Sequence, residues 1–463
     1  MTTRLRLAEM GGPGGIPSAR VDPVSLATPE PLPTRLVDLS IEDAERVNVL
    51  EDLVWFEVPP GLTAQEVVET LDWSRSRGVE ITGEPPLGTP GDSPAPLVGV
   101  YSAFDMRVTV PGPHAALTRL PMSGLTWVGV HPDRRRRGIL RQMMTDHLHG
   151  LHDSGEAAIA GLHAAEVGIY GRFGYGTASL DVALTLSRGT DLTVGEDLDA
   201  AAKEVTTHFV AVDSDEAAAA LHRAHLGAAE HTLGAVTRGE DVARSWFRDY
   251  PSVRQEKEPL QVMFAQRGGE LTGYAVFRRV SKWSDDNQPD GEVGVRELGA
   301  NDPASLLALA RRMLDFDLTA KVKFWSRSTD DPILWWAGGP RSAGLKASDA
   351  LWIRLVEVDK ALTARGYAAP VDVVLEVLDD LCPWNARRWR LTAGDDGVGR
   401  CLPTEDEPEV RVPVQALGAA YLGGRSIASQ SVAGLVTELR PGAVHELSRA
   451  MRADVEPVGA IGF

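Results

Sequence analysis

One stretch limits the folds open to this chain more than any other: Val128 to Leu140, V-G-V-H-P-D-R-R-R-R-G-I-L. A strand-like run stops at His131-Pro132. Four arginines and Gly138 follow, and a helical run, R-Q-M-M-T-D-H-L-H-G-L, continues from Arg141. The pattern predicts strand, loop, helix. A helix entered from a loop leaves its first backbone N–H groups without helical partners, and its dipole favours an anion there. Arginines on both sides strengthen that preference, and Gly138 lets the backbone come close to a ligand. The residues predict a cradle for phosphate or pyrophosphate. They leave a solvated basic turn open as the alternative.

The surroundings extend the pattern. Residues 1–33 are Gly- and Pro-rich and read as a disordered or extended leader. A short strand over Arg35–Leu39 precedes a helix capped by Ser40, and a second helix from Ala64 is capped by Thr63. A Gly/Pro-rich loop is expected over 79–95. Three strands follow, L-V-G-V-Y-S-A-F, M-R-V-T-V-P and L-T-W-V-G-V, and the last feeds the arginine loop. After the helix come a central strand at Ala157–Leu162 and the string A-E-V-G-I-Y-G-R-F-G-Y-G, residues 165–176. Glycines at 171, 174 and 176 mark a place where backbone approaches something closely; a packed aromatic turn is the alternative. The strand S-L-D-V-A-L-T-L then closes a first unit near residue 190.

Residues 204–345 repeat this order: strand, a helix over Asp213–Ala228, a hairpin turning at Gly268-Gly269, then strand, loop and helix. The second loop is Gly299-Ala300-Asn301-Asp302-Pro303, which has no arginine and carries an acid that repels phosphate. From Ala350 the texture changes again. L-W-I-R-L-V-E-V, D-V-V-L-E-V-L-D-D and R-W-R-L-T-A-G read as strands, and S-V-A-G-L-V and A-V-H-E-L-S-R-A-M as helices. That sheet with a helical layer forms a third unit.

A net charge of −18 disfavours a nucleic-acid partner and suits a cationic substrate. Two cysteines, Cys382 and Cys401, make neither a disulfide framework nor a metal pattern. No apolar run is long enough to span a membrane, and no signal peptide is visible, so the expected compartment is the cytosol.

The motif Arg135-x-x-Gly138-x-Leu140 resembles the acetyl-CoA loop of the GNAT N-acetyltransferases, with Leu140 where the general pattern has Gly or Ala. Together with I-Y-G-R-F-G-Y-G from Ile169 and L-W-I-R-L-V-E-V…Y-L-G-G in the third unit, it resembles the Eis (enhanced intracellular survival) branch. The resemblance implies an α+β fold: tandem GNAT domains, each a mixed sheet with flanking helices, and a C-terminal sterol-carrier-protein-like α/β domain. It implies a catalytic acetyl-CoA domain over 34–192, a degenerate second GNAT domain over 193–347 and a third domain over 348–463. It further implies a hexamer, acetylation of amines including aminoglycosides, and in some members acetylation of lysine side chains. No metal is expected.

By position, the resemblance assigns Val128, Gly129 and Val130 to the pantetheine and acetyl carbonyl, and Arg135, Arg136, Gly138, Ile139 and Leu140 to the pyrophosphate. Tyr170 becomes the general acid and the α-carboxylate of Phe463 the base. Gly462 stands where the family often has a glutamate, so a negative charge expected near the substrate is missing. Trp127, Trp55 and Phe56 are expected in the acceptor pocket, with His163 and Glu166 near Tyr170. A lysine acetyltransferase and a non-catalytic acyl-CoA or lipid sensor are the competing readings.

Overall fold

The computed structural model describes residues 33–56, 61–82, 96–212, 214–254, 257–459 and 461–463. Residues 1–32 of the expected leader lie outside them.

The first sheet begins with β1 (Thr34–Asp38). Ser40 and Asp43 form a reciprocal capping box at the entry to α1 (Ala44–Trp55), which buries Val47 and Leu50. The helix expected from Ala64 is a single turn, α2 (Ala64–Val67), held by a Thr63–Glu66 capping box. β2 (Arg77–Ile81) occupies the start of the expected loop, and residues 83–95 of that loop lie outside the described residues. The two strands expected from Leu97 are one 15-residue strand, β3 (Leu97–Pro111). The apparent break at Asp105 is an exposed position on an alternating strand. β4 (Leu117–Val130), α3 (Ile139–Ser154), β5 (Ile159–His163), α4 (Val167–Tyr170) and β6 (Gly176–Thr177) follow.

The second sheet is built from β7 (Leu180–Ser187), β8 (Thr206–Ala211), β10 (Gln261–Arg267), β11 (Glu270–Val280), β12 (Gly291–Ala300), β13 (Thr319–Arg327) and β14 (Lys346–Asp349). Its helices are α5 (Glu196–Lys203), α6 (Asp215–Glu230), α7 (Glu240–Trp246), α8 (Pro303–Leu314) and α9 (Pro332–Trp336). β9 (Val236–Arg238) leaves this unit to pair with β3. The strand order is β14-β7-β13-β12-β11-β10-β8.

After β15 (Leu351–Leu355), the third unit holds α10 (Val358–Ala364), β16 (Val371–Leu378), β17 (Arg388–Ala393), β18 (Gly399–Pro403), β19 (Val410–Pro413), α11 (Val414–Ala420), α12 (Ile427–Val432), β20 (Thr437–Glu438) and α13 (Ala443–Met451). The helix expected over S-V-A-G-L-V ends inside that string, and Gly434 turns the chain at φ +76°.

Two strands change sheets relative to the sequence reading. β7, expected to close the first unit, lies in the second sheet between β14 and β13. β15, expected to open the third, lies in the first sheet between β5 and β6. All five β15 residues are buried, as a strand paired on both edges and covered on both faces requires. Local periodicity marks each as a strand but carries no information about its partner. Among the described residues no helix is long and apolar enough to cross a membrane.

Candidate active site

β4 and β5 run parallel, but they pair only at Ser123–Ala160 and Gly124–Gly161. Beyond Gly124 the strands part. β5 turns to β15 on its other edge, and residues 125–130 of β4 keep β3 alone as partner. A bulge places two β4 residues opposite one of β3, with Trp127 at φ +52°. Bulges re-aim side chains, and here Trp127 packs against the α1 cluster, while Val128 and Val130 face the core beneath α3.

The split opens towards the arginine loop. Gly138 caps α3 at φ +85°, with no side-chain hydrogen bond to the helix. A Cβ at Gly138 would meet nothing within 4 Å, so the left-handed backbone, not crowding, calls for glycine. Arg136 is also left-handed, at φ +61°. Arg135 and Arg136 are exposed. Ile139 is buried with Met143, Met144 and Leu148, and Leu140 packs against the same core, so both present backbone rather than side chain to the loop. The 16 residues of α3 supply the dipole.

At the vertex lies the end of the chain. A Cβ on Gly124 would come within 2.9 Å of the Phe463 ring. That ring meets His163 edge-on at 5.0 Å and 85°. Val236 N–H donates to the Gly459 carbonyl at 3.1 Å, Val458 N–H donates to that of Leu233 at 2.9 Å, and Ile461 is buried in the main core. The terminal segment is therefore strapped to the first sheet and not frayed. Burial pushes His163 down to about 4, so its imidazole is neutral at pH 7.

Tyr170 ends α4 and is 8% exposed. Burial first, and the charge of Glu166 second, push its phenol up to about 12. It is a proton donor at neutral pH. The glycines after it are explained by neighbours from the third unit. A Cβ at Gly171 would sit 2.7 Å from Gln415 Nε2, one at Gly174 2.7 Å from Arg354 Nε, and one at Gly176 2.1 Å from the Gln415 carbonyl. Arg354, fully buried on β15, donates to the Phe173 carbonyl at 2.9 Å and to Asp379 at 2.7 and 2.8 Å. The close approach expected of this string is an approach of α11 and Arg354, which fixes the tyrosine's backbone.

The expected acceptor residues are only partly gathered. Trp55 is 44% exposed and Phe56, at φ +45°, is 88% exposed. Neither these two nor Trp127 lines either of two clefts. One, about 720 Å³, lies beside α3 and includes Gly138, Arg141 and Asp146. The other, about 620 Å³, is lined by Gly462 and Ile461, by the acids Asp181, Glu292 and Glu297 and by the bases Lys257, Arg278 and Arg296. Among the described residues, Asp181 and Glu297 each keep a buried carboxylate oxygen without a hydrogen-bond partner. Burial also raises the Asp181 carboxyl.

Sequence reasoning missed Glu51. It sits on the buried side of α1, at helical spacing from Val47, and its Oε1 would lie 2.8 Å from a Cβ on Gly129. A charged residue at a position on the apolar stripe was the available signal.

The sequence profile of an acetyltransferase (GNAT) domain matches residues 39–178, a second acetyltransferase (GNAT) profile matches 234–355, and a sterol carrier protein domain matches 358–459. An uncharacterized N-acetyltransferase of Streptomyces avermitilis is 40% identical over 376 residues, 79% of this chain and 87% of its own. N-acetyltransferase Eis of Mycobacterium tuberculosis is 30% identical over 380 residues, 79% of this chain and 86% of its own. The crystal structure of Eis1 from Mycobacterium abscessus superposes with a TM-score of 0.73 at 27% identity, covering 93% of this chain and 100% of that one.

Proposed function

The chain belongs to the Eis family of GNAT N-acetyltransferases, and from that premise we propose that it transfers acetyl from acetyl-CoA to primary amines of small cationic molecules, with Tyr170 as general acid and the terminal carboxylate of Phe463 as general base. The observation that carries this reading is the vertex, where the Phe463 ring closes on Gly124 at the point where β4 and β5 part.

The residues fit acetyl-CoA. The free edge of β4 at Val128, Gly129 and Val130 suits an amide-bearing arm. The α3 N-terminus at Gly138, which has no side-chain cap, suits a pyrophosphate together with Arg135 and Arg136. When bound, acetyl-CoA supplies an activated thioester. Tyr170 stays protonated across the neutral range and donates to the leaving sulfur. The Phe463 carboxylate holds the attacking nitrogen by charge and hydrogen bond. Gly462 brings no acid, and the cleft beside it balances Asp181, Glu292 and Glu297 against Lys257, Arg278 and Arg296. The same reading makes the protein a cytosolic homohexamer, which sedimentation tests.

The experiment is thiol release from acetyl-CoA with a panel of amines and lysine peptides. Tyr170→Phe lowers kcat by roughly 10²-fold, the usual worth of one positioned proton donor. One residue added after Phe463 lowers it comparably; an unchanged rate removes the terminal carboxylate from the mechanism. Turnover of peptides alone favours a lysine acetyltransferase. Binding of acetyl-CoA with no turnover favours a carrier.

A further inference from the structure

Acetylating an ammonium removes two protons from one nitrogen, one before it attacks and one after. The Phe463 carboxylate answers for one of them. A second acid lies on the same face of β4. Glu51 is 8% exposed, and its Oε1 is buried without a hydrogen-bond partner among the described residues. That oxygen lies against Gly129, where a Cβ would approach it to 2.8 Å and the Val54 and Val100 methyls to 3.4 Å. Any larger residue at 129 would push the carboxyl off the strand. Trp55 hydrogen-bonds the same carboxyl, and Trp127 packs on the same α1 cluster. A buried carboxylate with one oxygen free beside indole rings is a setting that favours a cation.

We propose that Glu51 accepts the first proton of the incoming ammonium, at the α1 side of β4 next to the Trp127 bulge. The proposal rests on the amine-acetyltransferase reading above. One N–H bond breaks as the Glu51 carboxylate becomes a carboxylic acid and the amine becomes neutral. The amine nitrogen then forms its bond to the thioester carbonyl carbon and the C–S bond breaks. The leaving thiolate takes a proton from Tyr170, and Phe463 accepts the second proton from nitrogen. Solvent returns a proton to Tyr170 and removes the protons held by Glu51 and Phe463. Gly124 and Gly129 stand opposite Phe104 and Val100 on one face of β4, so an acceptor entering from the α1 side passes Glu51 on its way to Phe463.

The surroundings support a proton acceptor. Burial pushes the Glu51 carboxyl up to about 8; the Trp55 hydrogen bond lowers it and the charge of Asp52 raises it. Its charged neighbour is Asp52 on its own helix. β3 and β4 meet it with Val100 and Gly129, and α2 and the residues after it bring Val68 and Leu71 to the same cluster. A group titrating near 8 is matched to an amine at neutral pH, and an arriving ammonium favours its ionised form.

The test compares two acceptors on the complete enzyme: a strongly basic amine with a conjugate-acid pKa of about 10 and a weakly basic one below about 6. Glu51→Gln keeps the shape of the side chain. It is expected to lose at least thirtyfold in kcat/KM with the basic amine and less than threefold with the weak one, which arrives neutral. Equal loss with both, or loss with neither, overturns the proposal while leaving the acetyltransferase reading intact. Failure of the wild-type enzyme with every amine overturns both. A second readout needs no substrate. A carboxyl raised from the ordinary range stabilises the fold at low pH and loses that contribution as pH rises towards 8. The wild-type Tm therefore falls between pH 5 and 8.5 by more than that of Glu51→Gln. Parallel curves would show that Glu51 does not titrate there and would also overturn the proposal.

Discussion

The two strand–loop–helix units of this chain share a parted sheet and differ in what fills it. In the first, β4 leaves β5 at Gly124, the helix N-terminus is capped by Gly138 without a side-chain bond, and arginines stand outside. In the second, β12 pairs with β13 from Gly291 to Val295 and then runs on. There the free strand edge is occupied: Arg327 donates to the Leu298 carbonyl at 2.5 Å and is held by Asp331. The helix N-terminus is occupied too. Asp302 accepts from Ser305 N–H at 3.0 Å and pairs with Arg267 at 3.4 Å. The second unit satisfies internally the groups that the first leaves for an anion. A fold can thus keep its architecture while a carboxylate and a guanidinium take the place of a ligand.

Three variants break or sharpen that contrast, the largest effect first. Arg327→Met strips the partner from buried Asp331 and from the Leu298 carbonyl. It is expected to destabilise the protein by roughly 3–5 kcal/mol in denaturant unfolding, with the kcat of the folded fraction unchanged. Arg135→Glu combined with Arg136→Glu removes two charge-assisted contacts worth about 1.5–3 kcal/mol each. Acetyl-CoA affinity should fall at least a hundredfold by calorimetry, with Tm nearly unchanged because both side chains are exposed. Asp302→Ala removes one helix cap. It is expected to cost about 1 kcal/mol of stability and to leave acetyl-CoA binding as it was. If it created a second binding site, the carboxylate alone would have been what closes the second unit.

The first unit's loop was legible because its signals are local. Strand residues, a run of arginines, a positive-φ glycine and an apolar helix stripe lie within about twenty residues of each other. The second unit's loss was legible in part: Asp302 stands in the loop, but Arg327 lies 25 positions downstream of it and acts through space. The exchange of β7 and β15 between sheets was not legible, because pairing partners leave no mark on a strand's own alternation. The glycines after Tyr170 announced close packing, yet the partners, Gln415 and Arg354, come from some 180 to 245 residues further on. Glu51 was overlooked because a glutamate on a helix is ordinarily solvent-facing. Its place beside Leu50 and one turn after Val47 marks it as buried.

Of the two matching units, one takes the acyl donor. Calorimetric titration of acetyl-CoA into the wild-type chain and into Gly138→Asp, which gives the first unit the second unit's acid, tests it directly. One molecule bound per chain, lost on Gly138→Asp, is the result expected. Two molecules per chain, or one that survives Gly138→Asp, would contradict it.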